Sequence, residues 1–172
     1  GFARDMSRHH IQGVEMANLT LERSDDPEIR QIAFDISSTQ TNQAGRMQGW
    51  LALWDLTVSG GETMSWMTGQ SMGAMDMGDT DTSRGALMPG MATEDELADL
   101  RGLTGTAFEV RFLQLMIRHH QGGREMAEYA AEQAAVAAVR TLAGAIADTQ
   151  TAEVATMTDM LAARGGTPLP EP

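Results

Sequence analysis

Residues 2 to 52 of the chain recur 110 positions later, without a gap. Phe2–Ala17 reads FARDMSRHHIQGVEMA and Phe112–Ala127 reads FLQLMIRHHQGGREMA, identical at nine of 16 positions. The same offset pairs Arg30 with Arg140, Thr39-Gln40-Thr41 with Thr149-Gln150-Thr151, Met47 with Met157, and Leu51-Ala52 with Leu161-Ala162. Over residues 2–52 there are 19 identities. A duplication of this kind is a strong constraint on the fold: both copies must take one structure and share one core, so the helices are expected to be related by a pseudo-twofold axis.

Each copy reads as a helical hairpin. Asp26 before Pro27 is a helix start, because the carboxylate can cap free N–H groups and proline suits the first helical position. The following helix carries Ile29, Ile32, Ile36, Gln40, Gln43, Met47 and Trp54 at three- and four-residue spacing on its expected inner stripe. It ends before Val58-Ser59-Gly60-Gly61. The second hairpin turns near Gln133–Ala137, and Gly165-Gly166 with Pro168 and Pro170 ends its last helix near Arg164. Two hairpins are most economically joined as an all-α four-helix bundle. The expectation is a single domain over 1–172, with hairpins at 1–56 and 106–166 and a connecting insert at 57–105. Within the insert, Thr93-Glu94-Asp95-Glu96 is a capping box that opens a short helix. The rest is expected to be irregular and the most mobile part of the metal-free protein.

Composition narrows the function. There is no cysteine, so disulfides and thiolate metal sites are excluded. A net charge of −12 argues against nucleic acid or an anionic membrane surface as partner. No apolar run is long enough to span a bilayer. The chain opens Gly-Phe without an initiator Met, so an upstream segment is expected to have been removed. The unusual feature is 14 methionines in a chain with eight aromatic residues (four Phe, three Trp, one Tyr). Met can fill core gaps, or its thioether can hold a soft cation.

Position separates the two roles. At about 100° per residue, Phe2, Met6, His9, His10, Gly13 and Ala17 share one stripe about 100° wide, with Met16 at its edge. Phe112, Met116, His119, His120, Gly123, Met126 and Ala127 repeat it. Arg8, Glu15, Arg118 and Glu125 fall on the opposite face and read as surface charges. Four imidazoles in one bundle interior, flanked by thioethers, suit Cu(I), and imidazole alone suits Cu(II) or zinc. The candidate ligands are His9, His10, His119, His120, Met6, Met16, Met116, Met126, Met47 and Met157. Two alternatives stay open. The histidines could be core residues satisfied by Gln40, Gln43, Gln150 and Glu153, in a purely structural or interaction bundle. Or the bundle could host metal-dependent redox chemistry. A di-iron centre needs inward Glu residues and Glu-x-x-His. No Glu stands three residues before any histidine, and Glu153 is the acid expected inside.

Half of the methionines, Met64, Met67, Met72, Met75, Met77, Met88 and Met91, lie in the insert among Gly, Ser, Thr and Asp. They can wrap a soft ion, with Asp76, Asp79 and Asp81 adding charge, or a few can pack with Trp66 as a lid on the bundle. If thioethers and imidazoles share the ion, binding should weaken but persist below about pH 5, under an imidazole pKa near 6.5.

These residues carry a family resemblance. Phe112-x-x-x-Met116-Ile117-Arg118-His119-His120-Gln121-Gly122-Gly123 through Met126-Ala127, its copy from Phe2, Gln150-x-x-Glu153-x-x-x-Met157, and Met88-Pro89-Gly90-Met91 before Glu94 resemble the domain of unknown function 305 family. Its CopM-like members are ferritin-like copper-binding proteins outside the cytoplasm. The resemblance implies a ferritin-like helical bundle, a secreted or cell-envelope location in a bacterium, and binding of copper or silver. Gln43 stands where the second copy has the family-like Glu153, so the two halves need not bind equally. The combined expectation is an exported copper-binding protein, Cu(I) or Cu(II), that sequesters the ion or passes it to a delivery partner. No catalytic triad, paired carboxylates or phosphate loop is evident.

Overall fold

The computed structural model describes residues 1–67 and 86–172, and among these every regular element is a helix. They are α1 (Phe2–Asn18), α2 (Thr20–Arg23), α3 (Pro27–Leu53), α4 (Glu94–Gly102), α5 (Gly105–Gln133) and α6 (Ala137–Ala163). Helices α1 and α3 pack as one hairpin, α5 and α6 as the other, and α1 lies against α5, giving a four-helix bundle.

The local signals act as the sequence predicts. The Asp26 carboxylate accepts from the N–H groups of Glu28 and Ile29 at 2.9 and 3.1 Å, directly ahead of the Pro27 turn. Thr93 and Glu96 close a reciprocal capping box that starts α4. Trp54 departs from the expected inner stripe. Helix α3 ends at Leu53, so the helical register no longer governs residue 54, which is exposed and stacks on Trp50. Leu51 takes the inward position.

The apolar core falls into two clusters. One contains Met6, Met47 and Met126, the other Met16, Met116 and Met157. Under the 110 offset these two sets are images of each other. The remaining filling differs. The second cluster is completed by Phe108, Phe112, Leu113 and Leu115 of α5. The first is completed by Met64, Met67, Met88 and Met91 from the insert, with Trp66 against them. These four methionines are therefore buried core residues, and the packed, lid-like alternative describes them. Met72, Met75 and Met77, with Asp76, Asp79 and Asp81, lie outside the described residues.

Two surface assignments change as well. Arg118 is half-buried because α4 sits over it: its guanidinium meets the Glu96 carboxylate at 2.5 Å. Burial opposes ionisation of Glu96, but the bonds from Arg118 and the Thr93 N–H outweigh it and hold the carboxyl below its ordinary range. Glu125 is also partly covered, and burial raises its pKa. Arg8 and Glu15 are exposed as expected.

At the end of the bundle near the α2–α3 turn, Arg164 bridges Asp26 at 2.7 Å and Glu109 at 2.9 Å, and Ser24 donates to Glu109 at 2.7 Å. The Arg164 and Glu109 side chains are 11% and 9% exposed, so removing the cation would strand a largely desolvated carboxylate. Arg164→Ala is expected to destabilise the protein by about 3 kcal/mol, measured by urea denaturation. A loss below about 1 kcal/mol would show a solvated surface pair instead.

Candidate metal centre

The two core clusters are separated by a polar layer. His9, His10, His119 and His120 are all fully buried there. The rings of His9 and His119 meet across the α1/α5 contact with centroids 3.8 Å apart and planes at 32°. His10 and His120 flank them at 6.4 and 6.1 Å from their sequence neighbours. This is the pseudo-twofold arrangement that the repeat requires.

Glycine permits the close approach. A Cβ on Gly13 would lie 2.2 Å from Gln40 Oε1 and 3.0 Å from His119 Cε1. A Cβ on Gly123 would lie 2.9 Å from the Gln150 amide and 3.0 Å from His9 Cε1. Positions 9 and 13 thus face 123 and 119, so α1 and α5 run antiparallel and each glycine seats the opposing imidazole.

The hydrogen bonds decide the chemistry of the rings. His10 Nε2 lies 2.8 Å from Gln43 Oε1, and His120 Nε2 lies 2.8 Å from Glu153 Oε2. His119 Nε2 lies 3.0 Å from the main-chain oxygen of His9, and His9 Nε2 lies 3.3 Å from that of Pro89. Every partner is an oxygen acceptor, so each Nε2 carries the proton and donates it. Burial above all, with repulsion between neighbouring imidazoles, holds His9 down to about 4 and His10 to about 3, and His119 well below its ordinary value. Near neutral pH those three rings carry no second proton. Among the described residues, Nδ1 of all four rings makes no hydrogen bond, and neither do the amide atoms of Gln40 and Gln150.

Buried polar atoms left unpaired cost about 1–3 kcal/mol each, so eight in one layer call for a bound ion or ordered water. The Nδ1 atoms suit a metal ion, since neutral imidazole binds through an unprotonated nitrogen whose ring partner is hydrogen-bonded. Among the described residues no three His, Cys, Asp or Glu side chains converge to hold an ion by themselves. Among the described residues, thioethers and the glutamine amides are the groups placed to complete a donor set. All six predicted Met ligands are fully buried, three on each side of the histidine layer.

Several groups escaped the sequence reading. Asp5 is buried and receives the Met64 N–H at 2.9 Å and the Trp66 indole N–H at 2.8 Å, anchoring the insert. That anchor holds Met64 in the left-handed region at φ +64, which is unfavourable for a non-glycine residue. Glu109 is likewise buried, so Glu153 is not the lone inward acid. Gln12 grips Ala92 through two bonds. The signal for Gln12 was present in the repeat, where the equivalent position is Gly122.

The chain matches the sequence model of a domain of unknown function, DUF305, over residues 1–161. It belongs to the DUF305 family. A DUF305 protein of Streptomyces coelicolor, a candidate secreted protein, is 42% identical with a TM-score of 0.86, over 99% of this chain and 96% of that one. A DUF305 fragment from Deinococcus radiodurans is 32% identical with a TM-score of 0.75, over 94% and 93%. CopM in its Cu(I)-bound form shares the fold at 21% identity, with a TM-score of 0.71 over 96% of each chain. CopM has also been solved in Cu(II)-bound and silver-bound forms. No curated protein sequence matches the chain significantly. No helix among the described residues is long and apolar enough to cross a membrane.

Proposed function

We propose that this DUF305 protein binds copper through the buried histidine layer and its flanking methionines, sequestering the ion or handing it to a partner outside the cytoplasm. The observation that carries this reading is the set of four buried imidazoles whose Nε2 atoms are all engaged and whose Nδ1 atoms make no hydrogen bond among the described residues. His9, His10, His119 and His120 offer nitrogen, and Met6, Met47, Met126 with Met16, Met116, Met157 offer thioether sulfur. That mixture suits Cu(I) and Ag(I), while imidazole also accepts Cu(II). The structures of CopM with Cu(I), Cu(II) and silver support the choice of ion. The candidate secreted relative supports an extracytoplasmic location. We read the chain as one domain over 1–172, with its hairpins at 1–56 and 106–166 joined by the 57–105 insert. We read its role as non-catalytic: Asp5 and Glu109, the acids the sequence did not place inside, are both engaged elsewhere.

A second reading is a structural network, favoured by the four Nε2 bonds. Titration with Ag(I) and Cu(I) against a competing chelator at pH 7.5 separates the two. Wild type should bind stoichiometrically, and His119→Ala/His120→Ala should bind at least about tenfold more weakly. Wild-type protein that takes no ion from a micromolar-affinity chelator, and gains no thermal stability from it, would support the structural network instead.

A further inference from the structure

The polar layer is covered over the α1/α5 contact by a short strap, Met88–Ala92. Its Pro89-Gly90 step is a tight turn: the Met91 N–H bonds to the Met88 oxygen at 3.1 Å and Gly90 has φ +77. Proline then glycine at these positions fits a type II turn, whose own bond leaves the Pro89 carbonyl free. That carbonyl is the acceptor for His9.

Two residues seat the strap, and they occupy the same position of the repeat. Gln12 donates to the Ala92 oxygen at 3.0 Å and accepts from the Ala92 N–H at 2.7 Å. Gly122 makes room: a Cβ there would lie 2.1 Å from the Pro89 oxygen. Because positions 12 and 122 are related by the offset of 110, a segment touching both lies over the pseudo-twofold axis. The repeat has diverged there into a grip on one helix and a clearance on the other. A single strap on a twofold axis can serve only one of two equivalent rings. It serves His9, while His119 bonds to main chain of α1. Of the four oxygens that accept from Nε2, the Pro89 oxygen is the one carried by a non-helical segment.

We propose that this strap gates access to the histidine layer, with Gln12 and Gly122 as the positioning residues that hold it shut over His9. That the traffic through it is metal ion rests on the function proposed above. Gating itself can be read without metal: the strap is non-helical, so it can open while the helices stay folded, an opening that also draws Met88 and Met91 out of the first core cluster.

The test uses the metal-free full chain and two variants, Gln12→Ala and Gly122→Ala. Modification of each histidine by diethyl pyrocarbonate is followed at pH 7 by peptide mass spectrometry, and Ag(I) uptake by stopped flow. Two hydrogen bonds amount to a factor of about 10–30 in an opening equilibrium. Modification of His9 should rise by that order in Gln12→Ala, which loses both bonds, and rise as well in Gly122→Ala, whose Cβ would collide with the Pro89 oxygen, with His10 still protected in each. Ag(I) uptake should speed up in proportion with the final number of ions unchanged. The gate is overturned by His9 rates equal to wild type in the folded variants, or by all four histidines rising together, which means general loosening. Faster modification with unchanged Ag(I) uptake removes its role in ion traffic. If Gly122→Ala does not fold, Gln12→Ala decides alone. Wild type that binds no Ag(I) sinks the metal reading, and the modification rates still decide the gate.

Discussion

Acidifying the metal-free protein from pH 7 to pH 5 should remove most of its folding stability. His9 is held down to about 4 and His10 to about 3, and His119 well below 6.5, all chiefly by burial. In the unfolded chain each titrates near 6.5. Between the folded and unfolded values the unfolded state binds more protons, so stability is full above about pH 6.5 and falls as pH drops towards the folded values. Each such histidine contributes a slope of about 1.4 kcal/mol per pH unit, or about 2 kcal/mol over this interval. Three together approach 6 kcal/mol, against a total of about 5–15 kcal/mol for a typical domain. Asp26 and Glu96, whose pKa values are lowered, add their loss only at lower pH, and Glu125, raised by burial, acts in the opposite sense as pH falls, so the histidines dominate the slope from 6.5 to 5. Urea denaturation at pH 7, 6 and 5 gives the slope, and His10→Gln should reduce it by about one proton. A wild-type slope below one proton would mean that the layer is hydrated and titrates normally. A bound ion that needs the neutral rings should protect against this unfolding.

Much of this layer is legible in the duplication alone. The duplication required the four histidines to meet, because two copies of a hairpin with one apolar stripe can bury it only against each other. It also placed Gln43 and Glu153 beside them, since 43 and 153 hold the same place in the second helix of each hairpin. What the repeat could not disclose is whatever breaks its symmetry. Asp5 is an acid on a helix whose repeat counterpart, Leu115, is a buried apolar residue. Its role depends on the N–H groups of Met64 and Trp66, about sixty residues away in sequence. The strap contributes its backbone oxygen, which has no residue-type signature. The two roles open to the insert methionines could not be separated for a related reason. Their Gly- and Asp-rich neighbours describe the local chain, whereas their burial is decided by a space at one end of the bundle that α5 fills at the other.

The lowered imidazole pKa values also change how nitrogen and sulfur donors can be told apart. An ordinary imidazole near 6.5 would lose its ion below about pH 5 and leave a thioether-bound remainder. Here the folded rings of His9 and His10 stay unprotonated to about pH 4 and 3, so acid acts first by unfolding the protein. The donors should instead separate by the ion offered at pH 7. Thioether binds Cu(I) and Ag(I) and contributes little to Cu(II) held by imidazole. Replacing Met6, Met47 and Met126 by Leu should weaken Ag(I) binding by about tenfold or more and leave Cu(II) binding within about threefold. Leu nearly matches Met in volume, so the core should lose little stability. The image set, Met16, Met116 and Met157, should have the smaller effect on Ag(I), because four further thioethers from the insert join only the first set. His9→Gln/His119→Gln should weaken both ions together. Competition titrations of Ag(I) and Cu(II) on the three variants measure this. If the two ions lose affinity in parallel in the first Leu variant, the methionines act through packing alone. If neither ion is affected, the thioethers are core filling and the imidazoles bind without them.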